Sequence, residues 1–252
     1  MTVKELYLKL TEKMPEELRE EWDNDGIMCS PDDSAEVRRV LVCLDVTEEI
    51  VDYAIESGFD LIVSHHPLIF KPLASVSLDN HIGRKVIKLL ANGVSVFSFH
   101  TRADKAKGGV NDLLSDILGL TDVRSFGEGE MGRIGAIDEL SLEDFAYRLK
   151  ELLSADSVKY ADGYNVVRRV AVLGGDGKDF VKAAFLAGAD TYVSGRISYN
   201  LMEEAAEMGI NLVEAGHYFT EQPVCSFFYN LIKAAAPTLE VETTSSNLIK
   251  LI

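Results

Sequence analysis

Three short segments of this 252-residue chain combine histidines with carboxylates: SHHP at 64–67, HTRAD at 100–104 and GHYFTE at 216–221. Each follows an apolar run of strand length. Imidazole nitrogens and carboxylate oxygens without a thiolate are typical ligands of zinc, manganese or ferrous iron, and the set does not select among these metals. A lone histidine is more often structural, but several at equivalent strand ends predict a metal centre. The fifth histidine, His81, lies in a polar stretch before a helix, and we predict no chemical role for it.

Residue spacing indicates how two of these segments could bind metal. Consecutive residues of an extended chain point to opposite sides, and Pro67 favours an extended conformation at His66. His65 and His66 could therefore each reach a different ion. His217 and Glu221 are four residues apart and share a face if a helix begins there. The alternatives are an exposed loop pair in the first segment and a polar helix start in the second.

The HTRAD segment adds one carboxylate and one histidine whose role stays open. Asp104 lies in the loop before Gly108–Gly109 and is a hard anionic ligand. His100 could be a ligand, a hydrogen-bond partner of a ligand, or a proton carrier. The predicted ligands are three imidazoles and two carboxylates: His65, His66, Asp104, His217 and Glu221. They are too many for one tetrahedral zinc and suit two ions that share a bridging carboxylate.

Apolar runs alternate with helical periods around these segments, which predicts an α/β fold. We predict strands at 38–44, 60–64 and 94–99, with helices between them at 47–58 and near 82–91. Strand–helix–strand alternation implies parallel pairing. Ligands of open parallel sheets bind beyond the carboxyl ends of the strands, which is where four of the five histidines occur.

The second half of the chain repeats the first. RRVLVCL, which begins at Arg38, returns as RRVAVLG, which begins at Arg168. The loop before a later strand returns at a shorter offset, with Asn-Gly-Val at 92–94 paralleled by Met-Gly-Ile at 208–210. We infer duplication of a βαβ-based module, and we place the two modules at residues 1–125 and 126–252.

A glycine-rich turn, LGGDGKDF at 173–180, connects a predicted strand to a helix. Free backbone N–H groups at Gly174, Gly175 and Gly177 could hold a phosphate. The segment is neither a Walker loop nor a full dinucleotide-binding fingerprint, so a plain tight turn is the alternative.

Composition limits the functional classes. A formal net charge of −16 disfavours nucleic-acid and membrane partners, and an anionic substrate would need a cationic centre such as a bound metal.

The three cysteines form no CxxC pattern and indicate no disulfide framework. The segment 1–22 has an amphipathic helical period without a signal-peptide core, and no window approaches a membrane span. We therefore expect a soluble cytoplasmic protein with a small-molecule substrate.

The motifs together resemble one known family. SHHPLIF at 64–70, HTRAD followed by GGVND at 108–112, and GHYFTE resemble the Nif-three-like dinuclear metal proteins, whose bacterial members are named GTP cyclohydrolase 1 type 2 homologues. WDNDGI at 22–27 and GGDG at 174–177 are similar to further elements of that family. The match runs in the family's order along nearly the whole chain.

The resemblance implies a fold, an assembly and an arrangement of ligands. It implies two similar, intertwined three-layer α/β/α domains and a ring-shaped homohexamer. One ion would be held by His65, Asp104 and Glu221, and the other by His66, His217 and the bridging Glu221. The sequence departs from the family where HTRAD lacks the usual Asn-Leu and where Arg196 and Asn200 replace frequent polar residues: neither departure removes a ligand.

Two functions remain open on this basis. In the first, a metal-bridging hydroxide attacks C8 of the guanine of GTP and yields formate and dihydroneopterin triphosphate, with Glu221 bridging the ions and His100 as proton carrier. In the second, the protein is a non-catalytic metal-binding, regulatory or metal-chaperone protein. A DNA-binding ring is a third idea, which the net charge of −16 opposes.

Overall fold

The structure is a computed structural model, and it describes residues 1–250. In chain order the α-helices are α1 Val3–Thr11, α2 Glu48–Glu56, α3 His81–Ala91, α4 Thr101–Lys105, α5 Val110–Leu118, α6 Leu142–Leu153, α7 Val181–Leu186, α8 Tyr199–Met208, α9 His217–Glu221 and α10 Val224–Ala235. The strands are β1 Gly26–Cys29, β2 Arg39–Cys43, β3 Leu61–Ser64, β4 Ser95–Ser98, β5 Thr121–Phe126, β6 Gly132–Leu140, β7 Lys159–Ala161, β8 Val167–Leu173, β9 Thr191–Ser194, β10 Asn211–Glu214 and β11 Glu240–Thr243. Short 3₁₀ turns lie at Glu16–Leu18, Glu128–Glu130 and Lys178–Phe180. None of the helices in the described range combines the length and the apolar character that crossing a bilayer requires.

The chain folds as two compact units. Unit 1 comprises residues 1–106 and 224–250, and unit 2 comprises residues 107–223. The repeat predicts modules at residues 1–125 and 126–252, whereas unit 2 begins at residue 107. The chain also returns to unit 1, because β11 completes the first sheet by parallel pairing with β2.

Unit 1 is a three-layer α/β/α arrangement. Its sheet has the order β1-β4-β3-β2-β11, with β2, β3 and β4 parallel and β1 antiparallel to β4. Helices α2 and α3 bury Ile50 and Val86 in a core on one face. Helix α1 packs on the other face, where the ring of Tyr7 lies 5.2 Å from that of Phe97, and α10 packs beside α1.

Unit 2 is also a three-layer α/β/α arrangement, and its sheet has more strands than that of unit 1. The strand order is β5-β6-β8-β9-β10-β7. Helices α7 and α8 bury Ala184 and Ala205 against one face. Helix α5 packs on β6 and β8 and contacts α6, whose Phe145 is fully buried.

Strand registers confirm the duplication. β2 pairs with β3 so that Val40 lies opposite Leu61, and β8 pairs with β9 so that Val170 lies opposite Thr191. Val170 and Thr191 follow Val40 and Leu61 in the chain by the same offset that separates Arg168 from Arg38. β4 and β10 also pair with their neighbouring strands in matching registers. These two strands are separated by the shorter offset that the sequence shows for the loops before them.

A repeated aspartate explains part of the sequence similarity between the units. The carboxylate of Asp60 accepts hydrogen bonds from the backbone N–H groups of Arg38 and Arg39, at 2.8 and 2.9 Å. Asp190 binds the N–H groups of the corresponding residues in unit 2 in the same way. This carboxylate satisfies backbone donors near the start of β2 in unit 1 and of β8 in unit 2.

The N-terminal helix is shorter than the amphipathic period over residues 1–22 indicates. Helix α1 begins with a capping box between Thr2 and Glu5 and ends at Thr11. Pro15 disfavours the helical conformation at Met14, and the carbonyl of Met14 instead accepts a hydrogen bond from Arg102 at 3.0 Å. The rest of the period is a 3₁₀ turn and irregular chain.

Candidate metal centre

Three histidine rings form a cluster in unit 1. His65 and His66 follow β3, and His100 follows β4. Their ring centroids lie 5.0, 5.2 and 5.7 Å apart, and one ring nitrogen from each lies within 4.8 Å of the other two. The carboxyl ends of adjacent parallel strands thus bring these side chains together, and the group could hold a metal ion.

Hydrogen bonds fix the orientation of the first two rings. His65 is fully buried, and its Nδ1 lies 3.0 Å from the carbonyl oxygen of Phe99. Nδ1 must donate there because a carbonyl oxygen only accepts, so in the neutral ring the lone pair is on Nε2. His66 makes the same arrangement with Asp45, whose Oδ1 lies 2.7 Å from Nδ1. Histidine ligands of metals are commonly oriented in this way.

The third ring is held by a buried aspartate. His100 Nδ1 lies 2.8 Å from Oδ1 of Asp23, whose Oδ2 accepts bonds from the N–H and hydroxyl of Thr101. Burial alone would raise the pKa of Asp23, but the hydrogen bonds from His100 and Thr101 outweigh it and lower that pKa to about 2. Burial would lower the pKa of His100, but the bond to Asp23 and the charge of Asp104 raise it.

Asp104 belongs to the short helix α4 rather than to the predicted loop. The carbonyl of His100 accepts the N–H groups of Ala103 and Asp104, which winds the chain into one turn. Oδ1 of Asp104 lies 3.6 Å from Nε2 of His65. The carboxylate is therefore next to the ring nitrogen on which the lone pair is expected.

Unit 2 carries the second pair of predicted ligands. His217 and Glu221 are the first and last residues of α9, and their Nε2 and Oε2 atoms lie 2.9 Å apart. The helix predicted from their spacing is present. Glu221 is buried at 3% exposure, while His217 is partly exposed.

The glycine-rich turn packs closely on this pair. Gly175 has a φ of +67°, and a Cβ there would overlap Oε1 of Glu221 and lie 3.3 Å from Nε2 of His217. Only glycine allows this approach. The N–H groups of Gly174, Gly175 and Gly177 donate to side chains of unit 2: Asn111, Thr220 and Ser194. Phosphate contact by these three glycines stays a prediction, and it would require the N–H groups to leave those partners.

Replacing Gly175 by alanine is expected to displace the Glu221 carboxylate and to weaken metal binding by about tenfold or more. Gly209→Ala is the matched control, because its φ is +80° but a Cβ there would meet nothing within 4 Å. Both variants carry left-handed strain of about 1–2 kcal/mol. Metal equivalents per chain, measured after gel filtration, should fall only for Gly175→Ala. Equal metal content in the two variants would contradict the expectation.

The donor set fits divalent cations. His65 and His66 present Nε2 lone pairs oriented by bonds at Nδ1, and a carboxylate lies near each unit's histidines. Nitrogen and oxygen donors without sulfur suit zinc, manganese or ferrous iron.

Three residues that hold a predicted site residue or the glycine-rich turn were not predicted from the sequence: Asp23, Asp45 and Asn111. Asp45 follows β2 by two residues, so the strand-end rule that selected the histidines would have found it. Asn111 lies in the GGVND motif, and its buried amide accepts the N–H of Gly174 and donates to the carbonyl of Met131. The replacements at Arg196 and Asn200 are exposed side chains.

Comparison with known proteins gives one consistent family. Residues 1–251 match the model described as Duf34/NIF3 (NGG1p interacting factor 3). A Clostridium acetobutylicum protein named GTP cyclohydrolase 1 type 2 homolog is 31% identical over 96% of this chain and 94% of its own length. A Clostridium perfringens protein of the same name is 36% identical over 83% of each chain.

Solved structures show the same fold. Staphylococcus aureus hypothetical protein SA1388 has a TM-score of 0.89 at 27% identity, covering 100% of this chain and 99% of that one. Reduced HcgD from Methanocaldococcus jannaschii has a TM-score of 0.85 at 25% identity, covering 96% and 97%. Whole-chain coverage means that the relatives share both units.

Proposed function

Because the chain belongs to the DUF34/NIF3 family, we propose that it is a hydrolase that uses two divalent metal ions and acts on a nucleotide. The observation that carries the proposal is the orientation of the histidine cluster, in which each ring is held through a hydrogen bond at Nδ1. Such support by carbonyl and carboxylate groups is characteristic of metal sites. A cluster serving only packing would not need three oriented imidazoles.

The proposed ligands are those that the family resemblance implies. His65, Asp104 and Glu221 would hold one ion, and His66, His217 and the shared Glu221 the other. Zinc, manganese and ferrous iron all suit this set. We also propose that the protein is cytoplasmic and forms the homohexamer that the family resemblance implies. Light scattering of the purified protein would measure the number of subunits.

The proposed reaction is hydrolysis of GTP at C8 of the guanine, which opens the imidazole ring, releases formate and leads to dihydroneopterin triphosphate, as the names of the relatives suggest. Bound divalent ions would supply Lewis acidity that makes water nucleophilic near neutral pH. His100 would carry protons at Nε2 between the attacking water and the leaving nitrogen, while Asp23 holds the ring at Nδ1. Asp45 would keep the His66 ring in its ligand orientation.

Formate release from GTP tests the proposal. We expect protein loaded with two equivalents of zinc, manganese or ferrous iron to release formate, and chelation to stop it. His100→Ala should lower the rate about 100-fold or more while keeping both metal equivalents. His81→Ala, at the exposed start of α3, is the matched control and should leave the rate unchanged.

The same assay separates the hydrolase from a metal-binding protein without activity. Formate release lost in His100→Ala but kept in His81→Ala supports the proposed role. Two bound equivalents with no formate from GTP under any of the three metals would contradict the proposed reaction and favour the regulatory or metal-chaperone function.

A further inference from the structure

Two large aromatic side chains lie exposed beside the histidine cluster of unit 1. Trp22 is 61% exposed and Phe70 is 42% exposed. Their rings lie 6.1 and 6.0 Å from the ring of His100 and 6.2 Å from each other, all in edge-on orientations. A contiguous apolar surface rimmed by polar groups marks a binding surface more often than a scattered exposed residue does.

The two rings are held in place by the loops that carry them. The side-chain amide of Asn24 donates to the carbonyl of Ile69, which ties the loop of Trp22 to the loop of Phe70. Asp23, the neighbour of Trp22, is bound to His100 and Thr101. The Asp23 bonds that orient His100 thus also fix the chain beside Trp22, and the Asn24 bond ties the loop of Phe70 to it, so the surface is preorganised.

We propose that Trp22 and Phe70 form a stacking site for a planar heteroaromatic ring, and that the ring is the base of the nucleotide substrate. The choice of substrate rests on the proposed function. Aromatic side chains stack on the faces of nucleobases. Asp23, the neighbour of Trp22 in the chain, binds His100 through its carboxylate, and a negative charge there favours the uncharged base over the triphosphate.

The position of His100 favours a substrate over a protein partner. The ring of His100 lies 6.1 and 6.0 Å from the rings of Trp22 and Phe70, and 5.2 and 5.7 Å from the rings of His65 and His66. A base stacked on the aromatic pair would therefore touch the proton carrier. A protein partner seated there would cover His100 and gain nothing from its orientation by Asp23.

Trp22 supplies a direct readout because it is the one tryptophan of the chain. Indole fluorescence of the full-length, metal-loaded protein is titrated with GTP, guanosine and inorganic triphosphate. GTP and guanosine should quench the emission to saturation, and triphosphate should not. Phe70→Ala should weaken guanosine binding about tenfold, and Phe70→Tyr should restore it. Tyr147→Ala, which removes an exposed aromatic ring from α6, is the control and should bind like the wild type.

Three results would overturn the stacking site. They are equal quenching by triphosphate, no quenching by either guanine compound, and emission that changes with protein concentration alone, which would show a second copy covering Trp22. Quenching by guanosine without formate release would uphold the stacking site and contradict the hydrolase. Formate release without quenching by guanosine would uphold the hydrolase and contradict the stacking site.

Discussion

Replacing Glu221 by glutamine is expected to remove at least one of the two proposed metal equivalents and to abolish the proposed formate release from GTP. Glu221 is 3% exposed, and its Oε2 lies 2.9 Å from Nε2 of His217. Glutamine keeps the shape and one acceptor oxygen but has no charge, and one neutral amide cannot serve as a bridging carboxylate. Since even residues that only support metal ligands alter affinity about 10–100-fold, we expect a loss above about 100-fold.

The stability of this variant should separate a ligand from a structural residue. Metal-free Glu221→Gln should unfold no more easily than metal-free wild type, because a buried carboxylate carries a desolvation cost that an amide lacks. The rise in Tm on adding metal should shrink, because that rise reflects binding to the folded state. Scanning calorimetry and elemental analysis measure the two quantities.

An exposed glutamate on α8 provides the control. Glu204→Gln changes the same charge on the surface of unit 2 and should alter neither metal content nor the metal-induced rise in Tm. Full metal content and full activity in Glu221→Gln would contradict its proposed role as a bridging ligand.

The duplicated part of the fold could be predicted from sequence because its strands are buried. β2, β3 and β4 consist almost wholly of apolar or small residues, so they appear as continuous apolar runs separated by helical periods. The offset between RRVLVCL and RRVAVLG then predicts the matching register that β8 and β9 adopt in unit 2.

The unit boundary could not be predicted because it depends on one long-range pairing. Residues 224–243 contain an apolar helix and a short strand that would suit either sheet edge. β11 pairs with β2, so that Glu240 lies opposite Arg39 near the other end of the chain. Nothing in the local pattern specifies that partner, so the sequence alone does not show that residues 224–243 return to unit 1.

Histidines of the candidate site were more predictable than the carboxylates that orient them. His65, His66 and His100 follow strands, and their clustering follows from parallel pairing. Asp23 precedes β1, the antiparallel edge strand, so the strand-end rule does not select it. Its role depends on side-chain bonds to residues far along the chain, which composition and spacing do not show.

Arg102→Met is expected to lower the free energy of unfolding by about 3–5 kcal/mol, although Arg102 is not a proposed ligand. Arg102 and Asp25 are a buried ion pair, with side chains 1% and 0% exposed and Nε 3.0 Å from Oδ2. The guanidinium also donates to the carbonyl of Met14 and the hydroxyl of Tyr7, and it lies 5.0 Å from the ring of Phe99. Without it, Asp25 would be a buried charge with no cation beside it.

Because of Asp25, the loss of stability in Arg102→Met is expected to depend on pH. Burial raises its pKa even with Arg102 beside it. Among residues 1–250 its Oδ1 has no hydrogen-bond partner. Removing Arg102 should raise the pKa further, so the destabilisation should shrink as the pH falls and Asp25 takes up a proton. Urea unfolding at neutral and acidic pH, followed by circular dichroism, measures the change.

A second replacement distinguishes the lost charge pair from lost packing. Arg102→Met with Asp25→Asn removes both charges, and it should recover a large part of the stability because replacing both partners of a buried pair is often tolerated. Arg38→Met is the surface control, since Arg38 and Glu36 are 81% and 72% exposed and 4.0 Å apart. It should change stability by less than about 0.5 kcal/mol. If the double variant were as unstable as Arg102→Met, the loss would come from packing around α4, and the unpaired Asp25 carboxylate would not be its cause.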